Sequence, residues 1–186
     1  MNTEPEKMQD GNEFQQTLKR YEEMMRLNVR YFFDVEEFEN IIDYYIDIRN
    51  FTFANKAIEL GLAQHPGSFE LMVKYVHLYL ESGNPSKAVE MLNKLPDFEK
   101  ENPEYYLLKG TALAQLGKNR EAEKNFDIAL EKTTDDKVEI LMNISLAFES
   151  SNNFKQSVKY LKLAHEEDNT DLHVLYDLAY YYERMK

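Results

Sequence analysis

The stretch from Asn102 to Thr134, NPEYYLLKGTALAQLGKNREAEKNFDIALEKTT, contains the signals that decide the fold. Asn102 followed by Pro103 is typical of a helix start, because the amide side chain caps the first turn and proline suits the first helical position. Gly117 interrupts the pattern midway, where a residue with positive φ commonly closes a helix. The stretch therefore predicts two helices of about a dozen residues joined by a tight turn.

The same pattern recurs along the chain. Ala54, Ala88 and Ala122 are spaced by 34 residues, and each precedes a bulky apolar residue by four positions. A fourth copy starts at Ser157, 35 residues after Ala122. A second series of residues lies nine positions before the first series. It consists of Tyr45, Tyr79, Leu113, Phe148 and Tyr182, which are spaced by 34, 34, 35 and 34 residues. Both series have the same 34-residue spacing, and both contain a single 35-residue gap at the same place in the chain. This agreement indicates an internal repeat.

A pair of helices this short cannot enclose a hydrophobic core by itself. Neighbouring pairs must stack to bury their remaining apolar faces, as they do in a solenoid. The composition agrees, since only 6 Gly and 5 Pro favour helices over the turn-rich layout of a β-sandwich or barrel. The predicted fold class is all-α.

From residue 35 to residue 186 the chain resembles the tetratricopeptide repeat (TPR) family. In the unit that begins at Pro103, the family's motif positions correspond to Tyr106, Gly110, Gly117, Ala122, Phe126 and Ala129. Other units depart from the pattern, as at Ser157, where the family has alanine, and at Ile42, where it usually has glycine. The resemblance implies a right-handed superhelical solenoid of antiparallel helix pairs.

The repeat also predicts how the chain is organised. The array covers residues 34–186, with units at about 35–68, 69–102, 103–137 and 138–171 and the first helix of a fifth unit at 172–186. A leading amphipathic helix is predicted over residues 12–33 from the spacing of Phe14, Leu18, Tyr21, Met25 and Phe32. Residues 1–11 are predicted to be disordered. The segment from Asp34 to Tyr45 resembles the opening of longer bacterial TPR proteins, which favours the N-terminal part of such a protein; a natural cap is the alternative.

The charge balance limits the partners. With 34 acidic and 22 basic residues the formal net charge is −12, which repels nucleic-acid phosphates and anionic lipid surfaces. Neither nucleic acid nor a membrane is expected as a partner. The absence of Cys fits a reducing compartment, and the polar, acidic N-terminus lacks the features of a signal peptide. The sequence predicts a cytoplasmic location.

The sequence contains no recognisable catalytic or metal-binding motif. His65, His77, His165 and His173 fall in different repeats, with no two at the spacing of metal ligands. The acidic runs between predicted helices lack the pattern of a calcium loop, and no glycine-rich loop precedes a helix in a phosphate-binding arrangement. A non-enzymatic protein without cofactor or metal is predicted.

The resemblance implies a concave groove, lined by the first helix of each pair, that holds an extended peptide or a helix. Transferred to this sequence, the groove positions are Glu36, Glu39, Asp43, Asp47, Glu70, Val73, His77, Glu81, Glu104, Leu107, Thr111, Ala114, Glu139, Met142, Leu146, Glu149, Tyr176 and Tyr180. The first part of this set is acidic and the middle is apolar, with exposed anchors expected at Val73, Leu107, Met142 and Leu146. A protein or peptide partner with basic and apolar residues is therefore predicted. The alternative is that the carboxylates only solvate an exposed helix face.

Chaperone-binding members of the family hold an acidic C-terminal tail with a clamp of Lys, Asn and Arg. The corresponding positions in the first unit are Glu39 and Asp43, which repel a carboxylate. An acidic tail is therefore disfavoured as a ligand, and a shifted clamp at Lys74 or Lys109 is the alternative.

The last helix predicts a second kind of contact. Leu175, Leu178, Ala179 and Tyr182 form its apolar stripe, and one side of this stripe lacks the cover that a second helix supplies. A weak two-fold homodimer is predicted at this edge through Leu175, Leu178 and Tyr182. Two alternatives to a scaffold follow: a structural element that self-associates here, or a regulatory fragment of a longer protein.

Tyrosine is abundant, with 13 Tyr and no Trp. Aromatic residues at helical spacing usually pack in the core, so one ring of each adjacent pair is assigned to the core and its neighbour to solvent. The rings expected to face solvent are Tyr44, Tyr105 and Tyr181.

Overall fold

A computed structural model of the chain describes the backbone of residues 4–134 and 137–185, with side chains from residue 13 onward in those ranges. The described residues form ten α-helices and no strand, which confirms the predicted all-α class. The chain divides into two compact units, Met1–Ser82 and Gly83–Lys186. The predicted repeat at residues 69–102 is split, with one of its helices in each unit.

Unit 1 contains four helices: α1 (Glu4–Leu27), α2 (Val35–Asp47), α3 (Phe51–Gln64) and α4 (Phe69–Glu81). α2 and α3 form a pair, and α4 packs beside both. These three helices begin at side chains that accept a hydrogen bond from the first turn, namely Asp34, Asn50 and Ser68. Their apolar faces meet in one core that includes the fully buried Phe38, Ile41, Ile58 and Leu71.

The leading helix differs from its predicted bounds. It begins at Glu4, within the segment predicted to be disordered, and it ends at Leu27 rather than at residue 33. The helix stops because Asn28 adopts a left-handed backbone with φ of 53°, which a helix cannot continue through. The chain then runs without regular structure to Asp34, the cap of α2.

This early stop also changes which leading residues enter the core. Met24 and Phe33 are buried, whereas Met25 and Phe32 are exposed. Met24 follows the buried Tyr21 by three positions and therefore lies on the same face of α1. Phe33 lies beyond the end of the helix, so helical spacing does not determine its direction.

Unit 2 contains six helices and a short 3-10 turn (Glu99–Glu101): α5 (Pro85–Lys94), α6 (Pro103–Gln115), α7 (Asn119–Lys132), α8 (Lys137–Ser150), α9 (Phe154–Glu167) and α10 (Leu172–Arg184). α6 pairs with α7 and α8 pairs with α9, while α6 lies beside α8 and α10 packs on α9. The core of the unit includes Phe126, Ile144, Phe148 and Leu161, which are fully buried. Asn102 caps α6 through the N–H of Glu104 at 2.9 Å, as its position before Pro103 predicts.

The turns that follow α2, α4, α6 and α8 share one backbone feature at the predicted period. Arg49, Gly83, Gly117 and Asn152 have positive φ, between 56° and 73°, and are spaced by 34, 34 and 35 residues. Glycine adopts this conformation without strain and asparagine tolerates it. In the first turn the left-handed residue is Arg49, because the adjacent Asn50 serves as the cap of α3.

Small residues let the paired helices approach each other closely. Ala54, Ala122 and Ser157, which lie on the second helices of the pairs α2/α3, α6/α7 and α8/α9, are all fully buried. Ala88 on α5 is fully buried as well. Ser157 fits in place of alanine because its hydroxyl donates a hydrogen bond to the carbonyl of Ser145 at 3.0 Å, which satisfies the buried polar group. The substitution therefore keeps the packing of the repeat.

Gly110 marks the tightest contact between α6 and α7. A Cβ atom at this position would lie 2.3 Å from the Phe126 ring. We expect Gly110→Ala to lower the free energy of unfolding by about 1–3 kcal/mol, because a buried ring has little room to move away. Urea denaturation followed by circular dichroism measures the change.

Thr111→Ala is the matched control, since it alters the next residue of the same helix and leaves Phe126 untouched. The double variant Gly110→Ala with Phe126→Leu should regain part of the lost stability. If Gly110→Ala were as stable as the wild type, the contact between α6 and α7 would differ from the one described.

Candidate peptide-binding surfaces

In unit 1, α2 and α4 enclose a cleft of about 390 Å³, the unit 1 cleft, which is lined by Asp43, Ile46, Asp47, Arg49, Lys74, His77 and Glu81. The predicted groove residues among these are Asp43, Asp47, His77 and Glu81. Sequence reasoning missed Ile46 and Arg49 as lining residues. Ile46 is a half-buried apolar residue at the end of α2, and Arg49 occupies a turn, where periodicity gives no signal.

Lys74 alters the charge of the unit 1 cleft. Its Nζ lies 2.6 Å from Asp43 Oδ2 and 3.8 Å from Glu39 Oε1, so one ammonium contacts two of the predicted acidic residues. Burial raises the pKa of Glu39, Lys74 opposes this rise, and the Asp43 carboxylate adds to it. The two positions expected to repel an acidic tail are therefore partly neutralised inside the protein.

The His77 imidazole responds to the same ammonium. Desolvation lowers the pKa of His77 and Lys74 lowers it further, whereas Asp43 and Glu81 act in the opposite direction. The folded protein thus favours the neutral ring. Above the pKa of about 6.5 that the imidazole has in the unfolded chain, the ring is neutral in both states and the protein keeps its full stability. As the pH falls from there through the lower pKa of the folded state, stability is lost because the unfolded state binds a proton more readily.

Asp47 and Glu81 are the carboxylates of the cleft that remain available to a ligand. Both residues are exposed, and within the described part of the chain neither carboxylate forms an ion pair. Arg49 donates a hydrogen bond to the backbone carbonyl of Glu81 at 3.5 Å, and its guanidinium lies 5.3 Å from the centre of the Phe51 ring. Arg49 is therefore held beside Glu81 without engaging its carboxylate.

Three acidic residues of the predicted set in unit 1 do not line the unit 1 cleft: Glu39, which contacts Lys74 as described above, Glu36 and Glu70. Glu36 lines a separate cleft of about 260 Å³ between α1 and α2, together with Glu13, Phe14, Thr17, Asp34, Glu37 and Asn40. Glu70 accepts a hydrogen bond from the Ser68 hydroxyl at 2.7 Å, and this bond lowers the pKa of Glu70. The acidic stretch of the sequence is therefore divided between separate local environments.

The prediction of Val73 as an exposed anchor is wrong. Only 6% of its surface is exposed. Val73 shares one side of α4 with the buried Val76 and Leu80, which follow it by three and seven positions. This stripe takes the residue into the interior.

In unit 2, the adjacent helices α6 and α8 carry the predicted apolar residues Leu107, Met142 and Leu146, here called the unit 2 face. Leu146 is 49% exposed, whereas Leu107 and Met142 are half-buried because they also pack against the core of the unit. Thr111 is half-buried, and its hydroxyl donates to the Leu107 carbonyl at 2.8 Å. Ala114 is fully buried in the core cluster, so its assignment to the groove is wrong.

The acidic groove positions of unit 2 differ in exposure. Glu104 is half-buried and Glu139 is exposed. Glu149 accepts a hydrogen bond from the Tyr181 hydroxyl at 2.6 Å, which ties α10 to α8. Glu139 is thus the most accessible of the three.

Tyr176 and Tyr180, which were predicted as groove positions, are exposed on α10. Tyr176 is 74% exposed. The Tyr180 hydroxyl accepts a hydrogen bond from Arg184 at 2.7 Å, and the guanidinium lies 5.5 Å from the centre of the ring. Tyr176 therefore offers the more open aromatic surface.

α10 packs through a stripe one residue away from the predicted one. Val174 and Tyr181 are buried, and Leu178 is half-buried against the unit 2 core. Leu175 and Tyr182, which were assigned to the packing, are 40% and 44% exposed. Of the three residues predicted for self-association, two therefore form an open apolar edge.

Two of the three tyrosines predicted to face solvent are buried, namely Tyr105 and Tyr181. The Tyr105 hydroxyl accepts a hydrogen bond from Lys109 at 3.1 Å and Tyr181 donates to a glutamate, so each polar tip has a partner while the ring packs. Tyr44 is half-buried, with its ring centre 5.8 Å from that of Phe14. Adjacent tyrosines leave the helical register open, which is why spacing alone chose the wrong ring.

The described residues do not group three His, Asp or Glu side chains in a way that would hold a metal ion. Among the described helices, none combines the length and the apolar character of a bilayer span. The unit 1 cleft offers charged and hydrogen-bonding groups, and the unit 2 face offers apolar side chains.

Residues 54–112 match the family model of the tetratricopeptide repeat. YrrB, a TPR protein with an unusual peptide-binding site, is 16% identical to this chain with a TM-score of 0.58, covering 91% of this chain and 86% of YrrB. MamA (AMB-1) is 20% identical with a TM-score of 0.58, covering 87% of this chain and 94% of MamA. No curated protein matches the chain. Identities this low show a shared fold, and the match over residues 54–112 supports the resemblance of the chain to the tetratricopeptide repeat family.

We expect Lys74→Met to raise the pKa values of both His77 and Glu39, because the ammonium lowers both in the wild type. An NMR titration of the imidazole and carboxyl signals measures the two values. The NMR signals of His173, which lies in unit 2, are the internal reference and should be the same in the variant and the wild type. An unchanged pKa of His77 would show that Lys74 does not act on the cleft.

Proposed function

We propose that the chain is a non-enzymatic scaffold that binds a protein or peptide segment carrying basic and apolar side chains. The TPR fold supports the proposal, as does the fact that YrrB, a protein of the same fold, has a peptide-binding site. A cytoplasmic location, and the expectation that neither nucleic acid nor a membrane is the partner, remain predictions from the composition.

The observation that carries the proposal is the pair of free carboxylates in the unit 1 cleft. Asp47 and Glu81 line one cleft of about 390 Å³, and a lysine or arginine of a ligand would form charge-assisted hydrogen bonds with them. The volume lies near the lower end of the range of ligand pockets, which suits one or two side chains rather than a whole small molecule.

The position of Lys74 also favours a basic ligand over an acidic one. A shifted clamp would need the Lys74 ammonium for the carboxylate of the ligand, but this ammonium is 2.6 Å from Asp43. An acidic tail would have to displace an existing ion pair and then lie close to Asp47 and Glu81. A basic segment meets neither obstacle.

Unit 2 supplies the apolar part of the proposed recognition. Leu146 and the half-buried Met142 offer aliphatic contacts on α8, and Tyr176 offers an open ring on α10. Aliphatic or aromatic side chains of a partner would bury these residues on binding. The two units are thus assigned different tasks, ion pairing in unit 1 and apolar contact in unit 2.

We expect the double variant Asp47→Lys with Glu81→Lys to bind a basic peptide roughly tenfold more weakly than the wild type, because two attractive charges become repulsive. The probe is a short fluorescein-labelled peptide of alternating Lys and Leu, and fluorescence anisotropy measures its affinity. Binding to the wild type should weaken with added salt.

Glu131→Lys with Glu166→Lys is the matched control, because it changes the net charge equally at exposed positions of unit 2. This control should keep near wild-type affinity. If both double variants lost affinity to the same extent, binding would report the net charge of the protein and the cleft would not be the site.

Self-association is the second candidate function, and the register of α10 favours it. Leu175 and Tyr182 stand one repeat after Leu141 and Phe148 of α8. The two α8 residues are buried, whereas their equivalents on α10 are 40% and 44% exposed. An apolar edge of this kind is often covered by a partner subunit.

We expect the wild type to form a weak dimer at high concentration and Leu175→Gln with Tyr182→Ser to remain monomeric, because the double variant removes the exposed apolar groups. Sedimentation velocity measures the association, and thermal unfolding measures any loss of stability separately. Leu116→Gln, at an exposed position outside this edge, should leave the dimer intact. A wild type that stayed monomeric at millimolar concentration would rule out the self-association function.

A further inference from the structure

Unit 1 contains a third pocket, which is larger than the two clefts described above and separate from them. Its volume is about 760 Å³. We call it the α1–α3 pocket, and its lining consists of Met24, Met25, Asn28, Val29, Arg30, Tyr31, Phe32, Leu60, Ala63 and Gln64. These residues come from the end of α1, the irregular segment after it and the second half of α3. None comes from α2 or α4, the helices of the unit 1 cleft.

The wall of the pocket is held in place by Gln64. Its Nε2 donates a hydrogen bond to the Tyr31 carbonyl at 3.0 Å, and its Oε1 accepts one from the Phe33 N–H at 3.1 Å. A ring nitrogen of His65 lies 2.8 Å from the Phe33 carbonyl. The fully buried Phe33 ring anchors the same segment in the core. The segment is therefore fixed on both sides of Phe32.

This anchoring leaves large apolar side chains exposed next to one another. Phe32 is 68% exposed, and Met25, Val29 and Tyr31 are exposed as well. Methionine is flexible and adapts to differently shaped apolar partners. A run of exposed apolar residues around a pocket of this size is typical of an interaction site rather than of ordinary protein surface.

The charge of the pocket is opposite to that of the other clefts described in the structure. Arg30 contributes a guanidinium, and no carboxylate belongs to the lining. Within the described residues Arg30 forms no ion pair. The two other clefts of unit 1 each include at least three carboxylates. In a chain of net charge −12, this pocket combines an unpaired cation with an apolar wall.

The backbone of the segment favours a peptide over a small apolar acid. Among the described residues, the N–H groups of residues 29–32 donate no hydrogen bond. A bound peptide can supply carbonyl acceptors to these donors while one of its side chains enters the pocket. A fatty acid or similar ligand would leave them unpaired with the protein.

We propose that the α1–α3 pocket docks an acidic peptide segment of a partner protein, with an aliphatic or aromatic side chain in the pocket and an adjacent carboxylate paired with Arg30. This surface goes beyond the proposed scaffold function, because it uses other helices and selects the opposite charge. The chain thereby has two peptide sites of opposite polarity in unit 1.

The test uses the full chain labelled with ¹³C at the methionine methyl groups and the peptide acetyl-Asp-Glu-Leu-Phe-Glu-Asp-amide as the probe. Addition of the peptide should shift the Met24 and Met25 methyl signals, while Met91 of unit 2, which lies outside the proposed binding surfaces, serves as the internal reference. Two further peptides, one with Lys in place of the acidic residues and one with Ser in place of Leu and Phe, should cause much smaller shifts.

Arg30→Glu should weaken binding of the acidic peptide at least tenfold. Arg26→Glu is the matched control, because Arg26 is an exposed arginine near the same helix end that does not line the pocket, and its effect should stay below about threefold. Both positions are exposed, so circular dichroism should show an unchanged fold.

Three results would overturn the proposal. The first is the absence of Met24 and Met25 shifts at millimolar peptide, and the second is equal loss of affinity in the two arginine variants. The third is a shift of these signals with protein concentration alone, which would make a second copy of the chain the occupant. Because the basic peptide of the scaffold test reports on the unit 1 cleft, failure at either site is distinguishable from failure at the other.

Discussion

A methyl group at Gly110 would lie 2.3 Å from the Phe126 ring, and the arrangement of the helix pairs depends on close approaches of this kind. The small residues that repeat along the chain, such as Ala54 and Ala122, have no exposed surface because a neighbouring helix covers each of them. Close packing of this kind fixes the rotation of each helix about its axis. That rotation then determines which side chains reach solvent on the first helix of each pair.

Periodicity predicted the helices well because both series of repeated residues, as well as the turn residues, follow the same spacing. It did not predict the direction of individual side chains where the pattern is ambiguous. Val73 is hydrophobic like its neighbours on α4, so the sequence alone does not show that it belongs to the buried stripe. On α10, adjacent tyrosines permit two registers, and the hydrogen bond from Tyr181 to Glu149 stabilises the one that spacing did not choose. The end of α1 depends on the left-handed Asn28, which periodicity does not detect.

The sequence predicted the candidate sites only in part. In the unit 1 cleft, the part that it did not predict depends on an ion pair between distant residues. The sequence shows an excess of acidic residues on α2 and α4, but it does not show that Lys74 approaches Asp43 across 31 positions. This one ion pair separates engaged carboxylates from free ones. Burial lowers the pKa of His77, and the ammonium of Lys74 lowers it further. The α1–α3 pocket gave no sequence signal at all, because its wall is an irregular segment held by the side chain of Gln64. Contacts between residues distant in sequence determine both sites.

The hydrogen bonds from Gln64 and His65 to the segment before Asp34 also affect how the chain is cut by proteases. A stretch without helix or strand between two helices is ordinarily where a protease cuts first, because the enzyme needs several residues of free backbone. Here the Tyr31 carbonyl and both backbone groups of Phe33 are engaged, and the Phe33 ring is buried. A protease must therefore wait until this segment detaches from α3. Cleavage between α1 and α2 would report the local opening of unit 1 and not the mobility of a loop.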